Sequence, residues 1–322
     1  MGFDHGVIRL LGVALLSSGC STIPLAPDRP EFSIFASSAA PATAMEIVPL
    51  LLGHSRAPRC ASAGEESCLA TVPLVHAAYL VKHPQGTFLI DSSISSGDDV
   101  ARFPLMNRLA LGFTRDGDLK EALAQAGVAQ VDFVLITHAH WDHTGGLVDL
   151  PRPRAVLGPG ELEFVRAFPK DAAPSVMPDH LAGAAVETFA WDGGAYQNFP
   201  RSHDWFGDGS VVLVPLSGHT PGSVGIFLNA VHGRRLLFIG DAAWSMDAVT
   251  RPSHKLKPLS DLTDTDRAGT SDGLWRLHHL QQHDHPLLMV PAHDGKVFDR
   301  LCDFARRQPQ GRCIRGPARE PK

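Results

Sequence analysis

The 322-residue sequence has little excess charge, no long hydrophobic run and few cysteines or tyrosines. Its net charge of −5 and pI near 6.4 exclude the strongly basic surface with which proteins bind nucleic acid. The apolar run near the start, Leu10 to Leu16, is too short to cross a bilayer as a helix. A hydrophobic content of 44% and this length are sufficient for a full buried core, so a globular protein is expected.

The first twenty residues predict an export signal. Arg9 precedes the apolar run, and the following LLSSGC is similar to the processing site of bacterial lipoproteins, with Cys20 as the lipidated residue. An ordinary cleaved signal peptide is the alternative. Under the first interpretation the protein faces the periplasm and touches the membrane only through a lipid anchor, in the outer membrane because Ser21 follows the cysteine. Residues 21–42 are rich in proline, serine and alanine and are predicted to be a flexible tether.

Export would place the other four cysteines in an oxidising compartment. They form two close pairs, which favours the disulfides Cys60–Cys68 and Cys302–Cys313, although sequence alone allows three connectivities. Neither pair has the CxxC-type spacing of a zinc site. Structural cross-links are therefore their predicted role.

From residue 43 onward, apolar runs typical of strands alternate with helical segments, without a short-period repeat. This mixture predicts an α/β or α+β fold. We expect a single domain over residues 43–310 and a C-terminal tail over residues 311–322.

The segment THAHWDHTGG contains three histidines and an aspartate within six positions, directly after the apolar run VDFVLI. In an extended segment, His138 and His140 point to the same side and can bind one metal ion. Asp142 and His143 follow as the chain turns, within reach of a second position. Two histidines leave a zinc shell incomplete, so further ligands must come from elsewhere in the chain.

Three further residues follow one pattern, in which an apolar strand is followed by a glycine or proline and then by a single histidine or aspartate. They are His219 in PLSGHTPG, Asp241 in FIGDAAW and His293 in VPAHDG. Alone, such residues are usually caps or turn residues. Beside the HxHxDH cluster, they predict a metal site assembled from several strand ends.

With these motifs in this order, residues 43–310 resemble the metallo-β-lactamase-fold hydrolase superfamily. The resemblance implies a four-layer αβ/βα sandwich with its site on one edge. It also implies two metal ions that share one carboxylate, with Asp91 of FLIDSS orienting a ligand from behind. The implied ligands are His138, His140 and His219 for the first ion, Asp142, His143 and His293 for the second, and Asp241 for both.

A site rich in imidazole suits zinc best, with iron, manganese or cobalt as alternatives. By resemblance, two zinc ions would hold a bridging hydroxide that attacks an ester or lactone carbonyl, with Asp142 and Asp241 as catalytic carboxylates. Within the superfamily, an aspartate at position 241 is typical of lactonase-like members, and typical zinc β-lactamases lack it. A β-lactam or phosphotriester hydrolase is the alternative enzyme, and a non-catalytic metal-binding protein is the alternative from another class.

The predicted substrate is a small ester, lactone or related molecule, with Trp141 and Trp244 as pocket residues. Acyl-homoserine lactonases often carry a tyrosine where this chain has Trp244, which is expected either to donate through its indole N–H or to line the pocket. Residues 101–113 are expected to form a lid or a buried helix. Arg251 or Lys255 is expected to attract an anionic substrate group or to be a solvated surface charge.

Overall fold

The computed structural model describes residues 22–28, 44–64, 66–103, 112–169, 175–284 and 286–316. The predicted signal peptide with Cys20, much of the predicted tether and residues 104–111 of the predicted lid lie outside these ranges. Within them, the chain forms two β-sheets packed face to face, with helices on both outer faces. This arrangement confirms the predicted α/β sandwich and its single domain.

The sheets contain short and long strands that alternate with helices. In chain order the strands are β1 (Glu46–Pro58), β2 (Thr71–His83), β3 (Gly86–Ile90), β4 (Thr114–Arg115), β5 (Phe133–Leu135), β6 (Arg154–Leu157), β7 (Ala185–Thr188), β8 (His203–Asp204), β9 (Val211–Pro215), β10 (Val224–Val231), β11 (Arg234–Gly240), β12 (Leu287–Pro291) and β13 (Ile314–Arg315). The first sheet has the order β13-β1-β2-β3-β5-β6-β7, with β4 paired to β1. The second has the order β12-β11-β10-β9-β8.

The helices are mostly short. In chain order the α-helices are α1 (Arg59–Ser62), α2 (Leu119–Gln125), α3 (Trp141–Thr144), α4 (Glu161–Ala167), α5 (Met246–Thr250), α6 (Lys257–Thr263), α7 (Arg267–His283) and α8 (Gly295–Arg306), and 3₁₀ turns cover Asp99–Arg102, Gly145–Asp149 and Pro178–Leu181. Helix α2 begins where the Asp118 carboxylate caps the helix by accepting the N–H of Glu121. Among the described residues, every helix is too short or too polar to traverse a lipid bilayer.

Alternation along the strands separates three apolar layers. On β2, Tyr79 and Val81 face the core between the sheets, whereas Ala78 and Leu80 face the helices outside. Helices α2 and α4 cover the outer face of the first sheet. Helix α7 covers the second sheet through its buried leucines, and α8 packs into the core between the sheets.

Both predicted disulfides, Cys60–Cys68 and Cys302–Cys313, are present. The second connects α8 to β13, which pairs in parallel with β1. The folded domain therefore continues past residue 310, where the sequence predicts a tail, because Ile314 is buried in the core.

The described part of the predicted tether, residues 22–28, contacts the domain. The indole N–H of Trp275 on α7 donates to the carbonyl oxygen of Ala26 at 2.9 Å, and Leu25 packs against the second sheet's outer layer. Because the apolar side chain of Leu25 packs against the domain, residues 22–28 are attached to it and are not a free linker.

The carboxyl ends of several strands meet on one edge of the sandwich. Strands β3, β5 and β6 are parallel, and so are β11 and β12. Strand β9 runs in the same direction as β11, because both are antiparallel to β10. The two sheets are joined at this edge, where the N–H of Val224 donates to the carbonyl oxygen of Thr137 at 2.9 Å. The loops that follow these strand ends build the site.

Candidate metal centre

All of the predicted ligands lie in loops or a short helix directly after strand ends at this edge. Strand β5 leads to the histidine cluster and α3, and β9, β11 and β12 each lead to one ligand. The structure brings together His138, His140, Asp142, His143, His219, Asp241 and His293. The side chain of Asp142 is 11% exposed and the others are more deeply buried. The fold therefore brings together the side chains that the sequence motifs single out, and their role as metal ligands stays a prediction.

The first group of ligands consists of three imidazoles whose nitrogens converge. Nδ1 of His140 lies 3.1 Å from Nε2 of His138 and 2.8 Å from Nε2 of His219. The Oδ2 atom of Asp241 lies 3.8 Å from Nε2 of His138 and 3.4 Å from Nε2 of His219. Three nitrogens and one oxygen thus surround a single point.

The second group faces the other oxygen of Asp241. Its Oδ1 atom lies 3.4 Å from Nε2 of His143 and 3.1 Å from Nε2 of His293. Nε2 of His293 is also 3.6 Å from Oδ2 of Asp142. Asp241 therefore turns one carboxylate oxygen toward each group, as a bridging ligand must.

Two buried polar atoms at this point fit a metal ion. Within the described chain, Nε2 of His143 and Oδ1 of Asp241 make no hydrogen bond. Buried polar atoms are rarely left without a partner, and imidazole nitrogen with carboxylate oxygen is a donor set for divalent transition metals. The residues present therefore fit a divalent metal ion.

The histidines of the site differ in their protonation. Burial, reinforced by the neighbouring His219, lowers the pKa of His140 to about 3, so its imidazole is neutral at pH 7. Burial alone would lower the pKa of His143, but the carboxylates of Asp91 and Asp241 raise it well above its usual value. Since ligands must bind without their protons, metal binding at His143 would release one.

Asp91 lies behind this group, in the contact that the predicted orienting role requires. Its carboxylate accepts from Nδ1 of His143 at 2.8 Å and from the backbone N–H of Thr137 at 2.7 Å. Donation through Nδ1 leaves Nε2 of His143 facing the site. Asp91 has a φ of 54°, a left-handed conformation that few non-glycine residues adopt.

The sequence does not reveal the partner of His219, which is Asp264 at the end of α6. The carboxylate of Asp264 lies 2.8 Å from Nδ1 of His219 and 2.8 Å from Nζ of Lys255. The same ammonium donates to the backbone oxygen of Asp241 at 3.0 Å. Lys255 is buried, so the expectation of an anion-attracting or surface charge is wrong: the lysine pairs with Asp264 inside the fold.

A buried carboxylate also connects the two loops of the first group. Oε1 of Glu161 accepts from the N–H of Ala139 at 2.6 Å, and Oε2 accepts from the N–H of Gly222 at 2.8 Å. Ala139 lies between two ligands, and Gly222 follows His219 in its loop. Only glycine fits at 222, since a Cβ there would lie 2.4 Å from that of Glu161. Burial raises the pKa of Glu161.

Aromatic rings line the side of the second group. The ring of Trp141 lies 5.1 Å from that of Phe103 and 5.8 Å from that of Phe113, the described ends of the predicted lid. Trp244 packs 5.4 Å from the ring of His293. Its indole N–H donates to Oδ2 of Asp241 at 2.7 Å. Of the two expected roles, Trp244 therefore acts as a hydrogen-bond donor, but its acceptor is a predicted metal ligand.

The segment GTSDG, residues 269–273, matches the GxSxG pattern of serine hydrolases, yet it lies inside α7. Such a nucleophile requires a sharp strand-to-helix turn that exposes the hydroxyl. Ser271 is buried, and its hydroxyl donates to the backbone oxygen of Arg267 and lies 2.9 Å from Nε2 of His254. This serine is therefore part of the packing of α7 and not a nucleophile.

A two-sheet sandwich with a His/Asp centre on its edge defines a class of metal-dependent hydrolases. The sequence profile of the metallo-beta-lactamase superfamily matches residues 71–293. The chain belongs to this superfamily, as the resemblance of its motifs predicts.

Two curated relatives and one solved structure illustrate the neighbourhood. The chain is 27% identical over 239 residues to a probable metallo-hydrolase of Mycobacterium tuberculosis, covering 70% of this chain and 76% of that protein. It is 27% identical over 128 residues to the N-acyl homoserine lactonase AttM of Agrobacterium fabrum, covering 37% of this chain and 44% of that protein. The solved structure of an N-acyl homoserine lactone hydrolase superposes with a TM-score of 0.59 at 14% identity, covering 82% of this chain and 97% of that one. The superposition shows a shared fold.

Proposed function

We propose that this metallo-hydrolase is a dinuclear zinc enzyme that hydrolyses an ester or a lactone. The observation that carries the proposal is the position of Asp241, whose two oxygens face two separate groups of ligand atoms at 3.1–3.8 Å. A shared carboxylate of this kind is suited to a pair of ions, and the imidazole-rich donor set favours zinc.

The choice of an ester or lactone rests on the relatives and on the aromatic rings beside the centre. AttM is an N-acyl homoserine lactonase, and the superposed lactone hydrolase holds N-hexanoyl-L-homoserine, its product, at its catalytic metal centre. In this chain the rings of Phe113 and Trp141 pack against His76, the hydrogen-bond partner of Asp142, and Phe103 packs on Trp141. Such an apolar wall suits an acyl chain or an aromatic leaving group.

The side chains of the site have distinct parts in the proposed reaction. When bound, the metal ions would supply Lewis acidity at the carbonyl oxygen and activate water. Asp142 is the proposed proton acceptor: burial opposes its ionisation, but His76, His143 and His293 hold its pKa well below the usual value. Asp241 sets the separation of the two groups, and Trp244 fixes its carboxylate through the indole N–H.

The test is metal content and turnover of the purified mature chain. We expect about two zinc ions per chain and a preference for a lactone or an aryl ester over a cephalosporin and an aryl phosphotriester. His140→Ala should abolish turnover, whereas His283→Ala, which removes an exposed histidine at the end of α7, should not. Cephalosporin or phosphotriester cleavage alone would contradict the ester or lactone assignment. Less than one ion per chain after reconstitution would contradict a metal-dependent mechanism.

The proposed location is the periplasmic side of the outer membrane, with Cys20 lipidated. The two disulfides support an oxidising compartment. Cys20→Ala should move the protein from the membrane fraction to the soluble fraction of the cell. An unchanged distribution would contradict lipidation.

A further inference from the structure

His76 is a buried histidine next to the centre that neither the family's ligand pattern nor the proposed mechanism uses as a ligand. It lies on β2 opposite Gly53, where the pairing of β1 and β2 shifts by one residue. Its residue exposure is 6%. Strand alternation alone would place an apolar residue here, because Ala78 and Leu80 on the same face are buried among the helices.

Both ring nitrogens of His76 are engaged. Nδ1 lies 3.1 Å from Oδ2 of Asp142, and Nε2 lies 3.0 Å from the hydroxyl oxygen of Ser55 on β1. An ionised carboxylate only accepts hydrogen bonds, so Nδ1 carries a hydrogen that it donates to Asp142. Ser55 holds the opposite end of the ring, which fixes the direction of this donor.

Asp142 depends on this contact for its orientation. Among the described residues, His76 is the only hydrogen-bond donor to its carboxylate. Asp142 belongs to α3, a helix of four residues that offers little rigidity of its own. Nε2 of His293, in the second group, lies 3.6 Å from the same Oδ2 atom. The ring of His76 therefore decides how this carboxylate faces the second group.

The surroundings of His76 strengthen the contact. Its ring centroid lies 5.2 Å from that of Phe113, 6.1 Å from that of Trp141 and 5.2 Å from that of His293. The side chains of His76 and Asp142 are only 6% and 11% exposed, and a charged acceptor in such an environment binds its donor more strongly than in water.

We propose that His76 is a positioning residue that holds Asp142 in place for the second metal ion through the Nδ1–H donor. This role rests on the proposed dinuclear site. The proposal requires that loss of the donor weaken the binding of one ion only. Binding at the three-histidine group should stay unchanged, since His76 makes no described contact with His138, His140 or His219.

The test compares His76→Leu with His76→Asn in the full mature chain. Asparagine places an amide N–H close to the position of Nδ1 and keeps the donor, whereas leucine removes it. His83→Leu is the matched control, because His83 is equally exposed at 6%, lies on the same strand and is distant from the ligands. Metal-free protein is titrated with Co²⁺, and binding is followed by calorimetry and by the visible absorption of the bound ion.

For the wild type and His83→Leu we expect two Co²⁺ per chain. In His76→Leu the first ion should bind normally, and the second should bind about 10–100-fold more weakly, with loss of its absorption bands. His76→Asn should restore the second ion to within a few fold, and this variant decides the matter if His76→Leu does not fold.

Three results would overturn the proposal. His76→Leu with two ions at wild-type affinity would show that Asp142 needs no donor. Equal loss in His76→Asn and His76→Leu would show that the ring is itself a ligand or acts by packing. A wild-type chain that binds a single ion would overturn the dinuclear function together with this role. The first two results would overturn only the role of His76, so the two failures are distinguishable.

Discussion

At the residue scale, charges in the centre are buried in pairs. Asp264 illustrates this: burial opposes its ionisation, but Lys255 and His219 hold its pKa well below the usual value. Nζ of Lys255 in turn donates to the backbone oxygen of Asp241. The pair therefore connects the imidazole of one ligand to the backbone of another. Removing one partner of a buried pair should cost far more than removing both.

Asp264→Asn should destabilise the protein by about 3–5 kcal/mol, because it leaves the buried ammonium of Lys255 without a countercharge. The double variant Asp264→Asn with Lys255→Met should recover part of this loss. Urea unfolding at a fixed excess of zinc measures both. A double variant less stable than Asp264→Asn would show that the unpaired ammonium is not the cause.

Residue spacing predicts the ligands but not the residues that hold them. His138 and His140 are recognisable because strand geometry relates positions two apart. Asp264 is 45 residues from His219, and His76 is 66 residues from Asp142. Neither distance corresponds to a local period, and both contacts exist only because separate loops meet at one edge. A single aspartate or histidine such as Asp264 or His76 forms no sequence pattern from which its contact could be predicted.

At the element scale, helix α4 shows how one element spaces two loops. Glu161, its first residue, binds one backbone N–H in each of the loops that carry the first group. The sequence predicts the strand ends before His219, Asp241 and His293, since each of these apolar runs stops at a glycine or proline. It does not predict that α4 turns a carboxylate inward, because a glutamate in a first helical turn is usually solvated.

Glu161→Gln should weaken binding of the first metal ion about 10-fold or more and leave the fold intact. The two backbone N–H groups each need an acceptor, but the amide of glutamine has only one oxygen. One backbone N–H would therefore face the amide NH₂ group, which is also a donor. Glu163→Gln is the matched control, since Glu163 is exposed in the same turn. The measurement is Co²⁺ affinity by titration. Equal affinities in the two variants would mean that the two loops keep their spacing without Glu161.

At the scale of the whole molecule, buried histidines make stability depend on pH. His83, far from the centre, stacks on Phe206 with ring centroids 4.1 Å apart, and its Nε2 lies 3.0 Å from the hydroxyl oxygen of Ser210. Burial lowers the pKa of His83 below 6.5, and the neighbouring Asp208 opposes this only in part. As the pH falls, His83 therefore becomes protonated at a higher pH in the unfolded chain than in the folded chain. This difference favours unfolding below about pH 6.5.

His83→Gln should remove this contribution. We expect the wild type to exceed the variant in unfolding free energy at pH 7.5, with the difference narrowing as the pH falls from 6.5 to 5. Urea unfolding across this range measures it, at constant ionic strength. A difference that stays constant with pH would mean that His83 has the same pKa in both states.

Metal binding should contribute to the stability of the whole molecule. The ligands come from the loops after β5, β9, β11 and β12, so bound ions would join both sheets at one edge. An ion present at 1,000 times its dissociation constant stabilises the folded state by about 4 kcal/mol, which for a domain of this size corresponds to roughly 10 °C in melting temperature. We expect a chelator to lower the melting temperature by at least this amount and zinc to restore it. In His140→Ala the chelator should have a smaller effect, because one ligand group is already incomplete. If chelation removes all metal without changing the melting temperature, the ions do not hold the sheets together, and the edge is rigid through its hydrogen bonds alone.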